Sequence, residues 1–118
     1  MELEKLRIYE MSVKLAEEIW DLVIQWKYFE KDTIGKQLIR SADSISANIS
    51  EGIGRYHYKE CRNFCYFARG SLFETRTWLE KSKNRKLISQ SDFEKFSKNI
   101  MILGASLNSF INSIGRQK

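Results

Sequence analysis

The sequence predicts an all-α fold, and within that class an antiparallel up-down-up-down four-helix bundle made of a single 118-residue domain. The chain contains no proline and only six glycines, which is too few turn residues for an all-β or loop-rich fold. Apolar residues recur at spacings of three and four along four segments, as they do on one side of a helix. The predicted helices cover about residues 3–26, 33–53, 57–83 and 91–115.

The first predicted helix carries two apolar columns. One follows a heptad pattern typical of a coiled-coil seam and consists of Leu6, Tyr9, Val13, Ala16, Trp20 and Val23. The other consists of Ile8, Leu15, Ile19, Leu22 and Trp26. Together they form an apolar arc wider than contact with one neighbouring helix requires.

The second predicted helix combines an apolar seam with small neighbouring residues. Its seam is Leu38, Ala42, Ile45 and Ile49, and the small residues beside it are Ser41, Ser44, Ala47 and Asn48. Small side chains let two helix backbones approach closely, and serine hydroxyls can bond back to the preceding turn. We expect Asp32 to cap the start of this helix, and Gly52 and Gly54 to end it through a left-handed C-cap.

The last two predicted helices are also amphipathic. The inner face of the third comprises Cys61, Phe64, Cys65, Ala68, Leu72, Thr75 and Leu79. The fourth begins at Ser91, where Ser91 and Glu94 fit a capping box. Its seam comprises Phe93, Phe96, Ile100, Leu103, Leu107, Phe110 and Ile114.

The net charge of +5 is unevenly distributed along the chain. Residues 1–54 carry a net charge of −3, residues 55–86 carry +6 and residues 87–118 carry +2. This asymmetry favours either an anionic partner or self-association between acidic and basic faces, and it does not choose between them. The charged N-terminus, the lack of a long apolar run and the two cysteines are typical of a reduced, cytoplasmic protein without a membrane segment.

A column of cations on the third predicted helix is the main candidate for a binding surface. Arg55, Arg62, Arg69, Arg76 and Lys83, which we call the basic ridge, follow each other at intervals of seven residues. That interval keeps side chains on one helix face, where cations hold phosphates and neighbouring aromatic rings stack unpaired bases. The predicted nucleic-acid-binding residues are the basic ridge together with Lys59, Arg85 and Lys86, and the aromatic residues beside it are Tyr66 and Phe73.

A structural role for the basic ridge is the alternative. Arginine stems often lie along the edge of a core while the guanidinium groups pair with acidic side chains. The available acidic partners on the first helix are Glu10, Glu17, Glu18 and Asp21. The sequence leaves both interpretations open.

A metal site and an active site are both poorly supported. His57, Cys61 and Cys65 lie four residues apart on one side of a helix, but a tetrahedral zinc site needs a fourth ligand, and the sequence has no other histidine or cysteine. Both cysteines fall in the predicted core stripe, where a free cysteine acts as a small hydrophobe. The chain also lacks a Gly-x-Ser-x-Gly motif. We therefore expect no metal, no cofactor, no catalytic residue and no enzymatic activity.

Four short stretches resemble the signature of a known family. They are Ser44–Gly52 (SISANISEG), Gly54–Arg55, Lys59–Glu60 and Phe67–Glu74 (FARGSLFE). Together they resemble the four-helix bundle proteins encoded in intervening sequences of bacterial 23S rRNA genes, and the likeness extends over essentially the whole chain. Ser46 and Ser50 depart from the family pattern, which usually has proline and alanine at these positions.

The resemblance implies a small cytoplasmic bundle that assembles as a ring-like homopentamer. It also implies a fold similar to the accessory proteins of diversity-generating retroelements, whose basic bundles bind nucleic acid and a reverse transcriptase. The matching signature positions are Asn48, Glu51, Gly52, Arg55, Glu60, Arg69 and Gly70. We interpret the signature as structural, and predict that Glu51 pairs with Arg55 or Arg69 and that Gly70 allows close helix approach.

Two functional hypotheses follow from the sequence. In the first, a non-enzymatic homo-oligomer binds rRNA or another structured RNA through its phosphates, using the basic ridge, the loop at 84–86 and the basic C-terminal tail. In the second, the protein is a scaffold whose basic ridge pairs with acidic faces of its own chain or of another protein. A ridge that faces solvent would favour RNA, and a ridge buried against the first helix would favour the scaffold.

Overall fold

Four long helices make up the computed structural model, which describes residues 2–116. They are α1 (Glu2–Val23), α2 (Lys36–Ile53), α3 (Tyr58–Asn84) and α4 (Gln90–Ser113). A short helical turn at Tyr28–Glu30 and a π-helical turn at Lys31–Gly35 run directly into α2. The described residues contain no strand, and none of their helices combines the length and apolar character needed to cross a membrane. The all-α fold class is therefore confirmed.

The helices form a ring of four neighbours in which α2 lies between α1 and α3, and α4 lies between α3 and α1. Side-chain contacts give the direction of each helix relative to its neighbour. Ser44 bonds to Ser71 and Ser41 to Thr75, so α2 and α3 are antiparallel. Contacts of the first turns of α3 with the end of α4, and of the last turns of α3 with the start of α4, show the same for that pair. The Ser109 hydroxyl near the end of α4 donates to Glu4 Oε2 near the start of α1 at 3.5 Å, so these two helices are antiparallel as well, and the up-down-up-down bundle is confirmed.

The core contains the apolar faces predicted for α2, α3 and α4. The four seam residues of α2 are fully buried, and the predicted inner residues of α3 and α4 are buried or half-buried. The side chains that are both large and fully buried include Leu72, Leu79, Leu103, Leu107 and Phe110. Complete burial of a leucine or phenylalanine side chain contributes about 1.5–3 kcal/mol, so these residues dominate the stability of the bundle.

The heptad seam predicted for α1 was wrong in part, because Ala16 and Val23 are buried while its other members are exposed or half-buried. Ile8 and Ile19 are fully buried, whereas Leu6 and Trp20 are 52% and 50% exposed. The buried column passes through Ser12, whose hydroxyl donates to the Tyr9 carbonyl at 2.7 Å and so needs no external partner. A satisfied serine can occupy a core position at little cost, so the buried face of α1 includes a polar residue that neither predicted column contained. Leu6, Tyr9 and Trp20 of the heptad seam lie on the outside of the bundle.

The boundary between α1 and α2 also differs from the prediction. The first helix ends at Val23 rather than at Trp26, and helical structure resumes at Tyr28. Asp32 lies within this continuous helical segment, so it is not an N-cap, and its carboxylate pairs with Lys36 Nζ at 2.8 Å. The start of α2 packs closely against the end of α1, and Gly35 permits this contact because a Cβ atom there would lie only 2.7 Å from Val23 Cγ1.

Three predicted helix ends need correction. The C-cap of α2, Gly54, has φ −77° and ψ −6°, so the left-handed C-cap predicted there was wrong. The N-cap of α4 is Ser89 rather than Ser91, because the Ser89 hydroxyl accepts a bond from the Asp92 amide at 3.0 Å. The last helix ends at Ser113, and Gly115 takes the positive φ, +81°, that often follows a helix.

A ladder of hydroxyl groups joins α2 to α3. Ser71 Oγ lies 2.9 Å from Ser44 Oγ, and Thr75 Oγ1 lies 3.0 Å from Ser41 Oγ. The Asn48 amide donates to both the hydroxyl and the carbonyl oxygen of Ser44, at 3.0 and 2.9 Å. Small polar residues therefore bring the two backbones together and also satisfy each other's hydrogen bonds, which extends the packing role predicted from the sequence.

Candidate nucleic-acid interface

The four members of the basic ridge that lie on α3 face its neighbour α4. Arg62 donates to the Ile114 carbonyl at 3.2 Å, and Arg69 donates to Asn108 Oδ1 at 2.9 Å. The Lys83 ammonium lies 4.5 Å from the centre of the Phe93 ring. The acidic face of α1 is not next to this surface, because α1 packs against α2 and α4. Pairing of the basic ridge with Glu10, Glu17 and Glu18 of the same chain was therefore a wrong alternative.

The fifth member of the basic ridge, Arg55, lies before α3 in the loop at 54–57. Its guanidinium pairs with the Glu51 carboxylate at 2.6 Å and lies 4.7 Å from the centre of the Phe64 ring. The predicted pairing of Glu51 with Arg55 is confirmed within the chain. The two side chains are 40% and 51% exposed, and exposed pairs of this kind contribute less than about 1 kcal/mol.

Most of the positive charge on α3 is not neutralised by the chain itself. Arg62, Arg69 and Lys83 contact a carbonyl oxygen, an amide oxygen and an aromatic ring, none of which carries a charge. The exposed Arg76 makes no hydrogen bond or ion pair with any other residue in the range 2–116. Because uncompensated cations attract counterions, this side of the bundle is suited to an anionic partner.

A groove of about 580 Å³ runs between α3 and α4 at the middle of the basic ridge. Its α3 wall includes Arg69, Phe73, Arg76 and one carboxylate, that of Glu80, and its α4 wall includes Met101 and Asn108. The exposed Tyr66 ring lies 4.9 Å from the Arg69 guanidinium, so the predicted aromatic neighbours of the basic ridge are indeed at the surface. The groove therefore places cations and aromatic surface side by side.

The other predicted binding residues lie at opposite ends of the bundle. Lys59 is exposed in the first turn of α3, and Arg85 and Lys86 are exposed just after its last turn. A 27-residue helix is about 40 Å long, so one molecule does not gather these cations at a single point. Of the predicted basic tail, Arg116 is exposed, and Lys118 lies outside the described residues.

Lys86 adopts a backbone conformation that side chains rarely take. Its φ is +64°, and the Leu87 amide bonds to the Ser82 carbonyl at 2.8 Å across the end of α3. This is the position at which a helix commonly places a glycine. The chain has a lysine there at a cost of about 1 kcal/mol, which keeps a positive charge next to the end of the basic ridge.

The histidine and the cysteines do not form a site. His57 is exposed, whereas both thiols are buried in the core, as the hydrophobic role predicted. Burial raises the pKa of the Cys65 thiol to about 12, and it also raises the pKa of Cys61. Across residues 2–116 there is no group of three or more potential ligands placed to hold a metal ion.

Comparison with known proteins identifies the family. The model of the 23S rRNA-intervening sequence proteins matches residues 4–109, which is most of the chain. The chain belongs to this family. A solved protein of unknown function from the S23 ribosomal protein family of Bacteroides thetaiotaomicron VPI-5482 has the same fold, with a TM-score of 0.83 and 24% identity. The alignment covers 92% of this chain and 98% of that one. The curated proteins gave no match.

The signature of the 23S rRNA-intervening sequence proteins occupies structural positions at the α2–α3 contact. Asn48 belongs to the hydroxyl ladder, and a Cβ atom on Gly52 would lie 3.0 Å from the Cys61 carbonyl oxygen. Gly70 is different, because it is exposed and a Cβ atom there would meet nothing within 4 Å. The prediction that Gly70 serves close helix approach was therefore wrong within the chain. Glu60 is exposed in the first turn of α3.

Sequence reasoning did not include the most exposed aromatic residues near the basic ridge. Tyr56 and Tyr58 are 90% and 62% exposed at the turn between α2 and α3. The signal was present in Arg55–Lys59, RYHYK, where two cations flank three consecutive aromatic rings. The seven-residue interval of the basic ridge includes Arg55 but not Tyr56 or Tyr58, so the predicted site did not contain the two tyrosines.

Proposed function

We propose that this protein is a non-enzymatic, nucleic-acid-associated protein that binds structured RNA through phosphate contacts along α3. The observation that carries the proposal is the set of cations along one side of α3, Arg62, Arg69, Arg76 and Lys83, none of which is paired with an acidic side chain of the described residues. Their spread of about 40 Å suits contact with several successive phosphates. Recognition led by charge and shape is expected, because most contacts of this kind carry no sequence information.

The test measures binding of a fluorescently labelled structured RNA at increasing salt. The variant with Arg76→Gln, Arg85→Gln and Lys86→Gln removes three exposed cations whose side chains make no contact that the bundle needs. The control variant, with Lys14→Gln, Arg40→Gln and Lys98→Gln, removes the same charge from exposed positions away from the basic ridge. The two variants therefore have the same net charge as each other, three units below that of the wild type.

The expected result is a selective effect of the first variant. Each lost phosphate contact lowers the slope of log affinity against log salt by about 0.7–0.9, so three lost contacts lower it by about 2–3. The control should change the slope by much less. Equal losses in the two variants, or no binding at about 50 mM salt, would remove the basis of the proposal.

Self-association is the second part of the proposal, and the outer face of α1 favours it. Leu6, Trp20 and Ile24 are about half exposed there, beside the exposed Glu10 and Glu17. Apolar surface next to acidic residues complements the groove and the basic ridge of a second copy. The family resemblance implies a homopentamer, and we propose that assembly here. A scaffold without RNA binding would use the same two faces.

Mass measurement in solution tests the assembly. Five chains of 14.0 kDa give about 70 kDa by light scattering. The change Trp20→Asp should reduce the mass, because it places a charge in the proposed contact, and Phe29→Asp on the exposed first turn before α2 is its control. A monomeric wild-type protein, or equal effects of the two changes, would contradict this interface. Loss of RNA binding together with the oligomer would show that the two activities depend on each other.

A further inference from the structure

Two exposed tyrosines stand at the end of the bundle where α2 turns into α3 and where α4 ends. Tyr56 lies in the loop at 54–57 and Tyr58 is the first residue of α3. Their exposed fractions, 90% and 62%, are large for aromatic side chains. The adjacent cations in the sequence are Arg55 and Lys59, which flank the three aromatic rings of residues 56–58.

Local contacts hold both rings while leaving ring surface open. The Tyr56 and His57 rings meet nearly at right angles, with 80° between planes and 5.0 Å between centres. A perpendicular contact covers at most one face of the Tyr56 ring. Tyr58 packs against Gly115, where an added Cβ atom would lie 3.1 Å from Tyr58 Cδ2. Rings that are already positioned lose less conformational entropy when a ligand stacks on them.

The end of α4 contributes to this arrangement. Arg62 donates to the Ile114 carbonyl at 3.2 Å, and its guanidinium lies close to Gly115. The positive φ of Gly115, +81°, turns the chain against the Tyr58 ring. The next residue, Arg116, is exposed, so this end of the bundle adds another cation near the tyrosines.

Charge distinguishes this aromatic pair from a second one at the opposite end of the bundle. Tyr28 and Phe29 are 76% and 70% exposed, but residues 27–32 contain two lysines and two acidic residues. Residues 55–62 contain three cations and a single glutamate, a net charge of +2. An anionic ligand therefore favours the end with Tyr56 and Tyr58, and the other end provides a natural control.

We propose that Tyr56 and Tyr58 form a stacking site for unpaired bases of an RNA whose phosphates contact the basic ridge. The inference rests on the proposed function and adds a ligand feature to it, a single-stranded segment next to a helical one. A paired A-form helix offers base faces only at its ends, whereas unpaired bases stack readily on exposed aromatic rings. Lys59, which follows Tyr58 in the chain, and Arg116, which follows Gly115, are both exposed and supply cations for the phosphates next to the stacked bases.

The experiment compares two labelled RNAs that carry the same number of phosphates. One is a blunt duplex, and the other is a shorter duplex with an unpaired overhang. The test variant is Tyr56→Ala with Tyr58→Ala, and the matched control is Tyr28→Ala with Phe29→Ala. A third variant, Tyr56→Phe with Tyr58→Phe, keeps both rings and should bind like the wild type.

We expect the wild type to prefer the overhang, and the test variant to lose about tenfold or more in affinity for it. Affinity for the blunt duplex should hardly change. The stacking site is wrong if the test variant binds both RNAs as the wild type does, if it weakens both equally, or if the control variant loses as much. It is also wrong if the test variant changes the mass of the oligomer, since the tyrosines would then belong to an interface between copies.

The same experiment separates this inference from the proposed function. If the wild type binds both RNAs equally and the variant with Arg76→Gln, Arg85→Gln and Lys86→Gln still has a reduced salt dependence, the stacking site fails and the phosphate-binding surface stands. If neither RNA binds at low salt, both proposals fail.

Discussion

Two glycines of the family signature should respond in opposite ways to the same substitution. Gly52→Ala and Gly70→Ala each add one methyl group within a helix, and alanine has the higher helix propensity by about 1 kcal/mol. At Gly70 the new methyl group would meet no atom within 4 Å. We therefore expect Gly70→Ala to raise the free energy of unfolding by about 0.5–1 kcal/mol.

The surroundings of Gly52 make the same substitution destabilising there. Its added Cβ atom would lie 3.0 Å from the Cys61 carbonyl oxygen and 3.1 Å from Phe64 Cβ. Neither neighbour can move by rotating a side chain, so α2 and α3 must separate and strain the hydroxyl ladder between them. Overpacking of this kind costs about 1–3 kcal/mol, which exceeds the gain in helix propensity. We expect a net loss of up to about 2 kcal/mol at Gly52.

Urea and thermal unfolding of the two variants measure the difference. A change of about 1 kcal/mol shifts the Tm of a domain of this size by about 4 °C, so the variants should lie on opposite sides of the wild type. Several protein concentrations are needed, because the Tm of an oligomer rises with concentration. Equal stabilisation by both substitutions would refute the close contact at Gly52. Destabilisation by Gly70→Ala that disappears on dilution would place Gly70 in a contact between copies.

Three further predictions concern single residues. Ser89→Ala should cost about 1 kcal/mol in urea unfolding, because it removes the N-cap bond to Asp92, whereas Ser91→Ala should cost much less. Lys86→Gly should stabilise the fold by about 1 kcal/mol, because it relieves the positive φ, and should at the same time weaken RNA binding measured by anisotropy. The pKa of the buried Cys65 thiol, about 12, lies above its ordinary value of 9.0, so the unfolded chain loses this proton first and stability should fall as the pH rises from about 9 towards 12. Urea midpoints at about pH 8 and pH 10 should show a smaller decline for Cys65→Ala than for the wild type, and an unchanged decline would contradict the assignment.

Periodicity in the sequence was enough to predict the fold and most of the core. The seams of α2 and α4 were recognisable because one apolar column clearly exceeded the others on each helix. On α1 two columns had similar apolar content, and the buried face takes residues from both of them and also includes Ser12. Hydrophobic pattern alone cannot rank such columns, because the choice depends on which neighbours the helix meets and on a hydrogen bond made after folding.

The candidate site was predictable only in part. A spacing of seven placed Arg62, Arg69, Arg76 and Lys83 on one side of a helix, and the structure shows them along α3 facing α4. The identity of the facing helix could not be read from the spacing, since the four helices of a bundle can be arranged around the core in either hand. The two signature glycines likewise look alike in sequence, and only their surroundings separate Gly52 from Gly70.

The hydroxyl ladder also fixes how far α3 can slide along α2. Aliphatic side chains such as those of Ala42 and Ile45 accept several axial alignments, because one methyl group packs much like another. Displacement by one helical turn, 5.4 Å, would part Ser41 from Thr75 and Ser44 from Ser71. Ser41 and Thr75 would keep their bonds to the Leu38 and Ser71 carbonyls, so the loss would be that of the two interhelical bonds, about 0.5–1.5 kcal/mol each. The serines thus determine the axial register of α2 and α3. This register in turn sets the positions of the cations of α3 relative to the rest of the molecule.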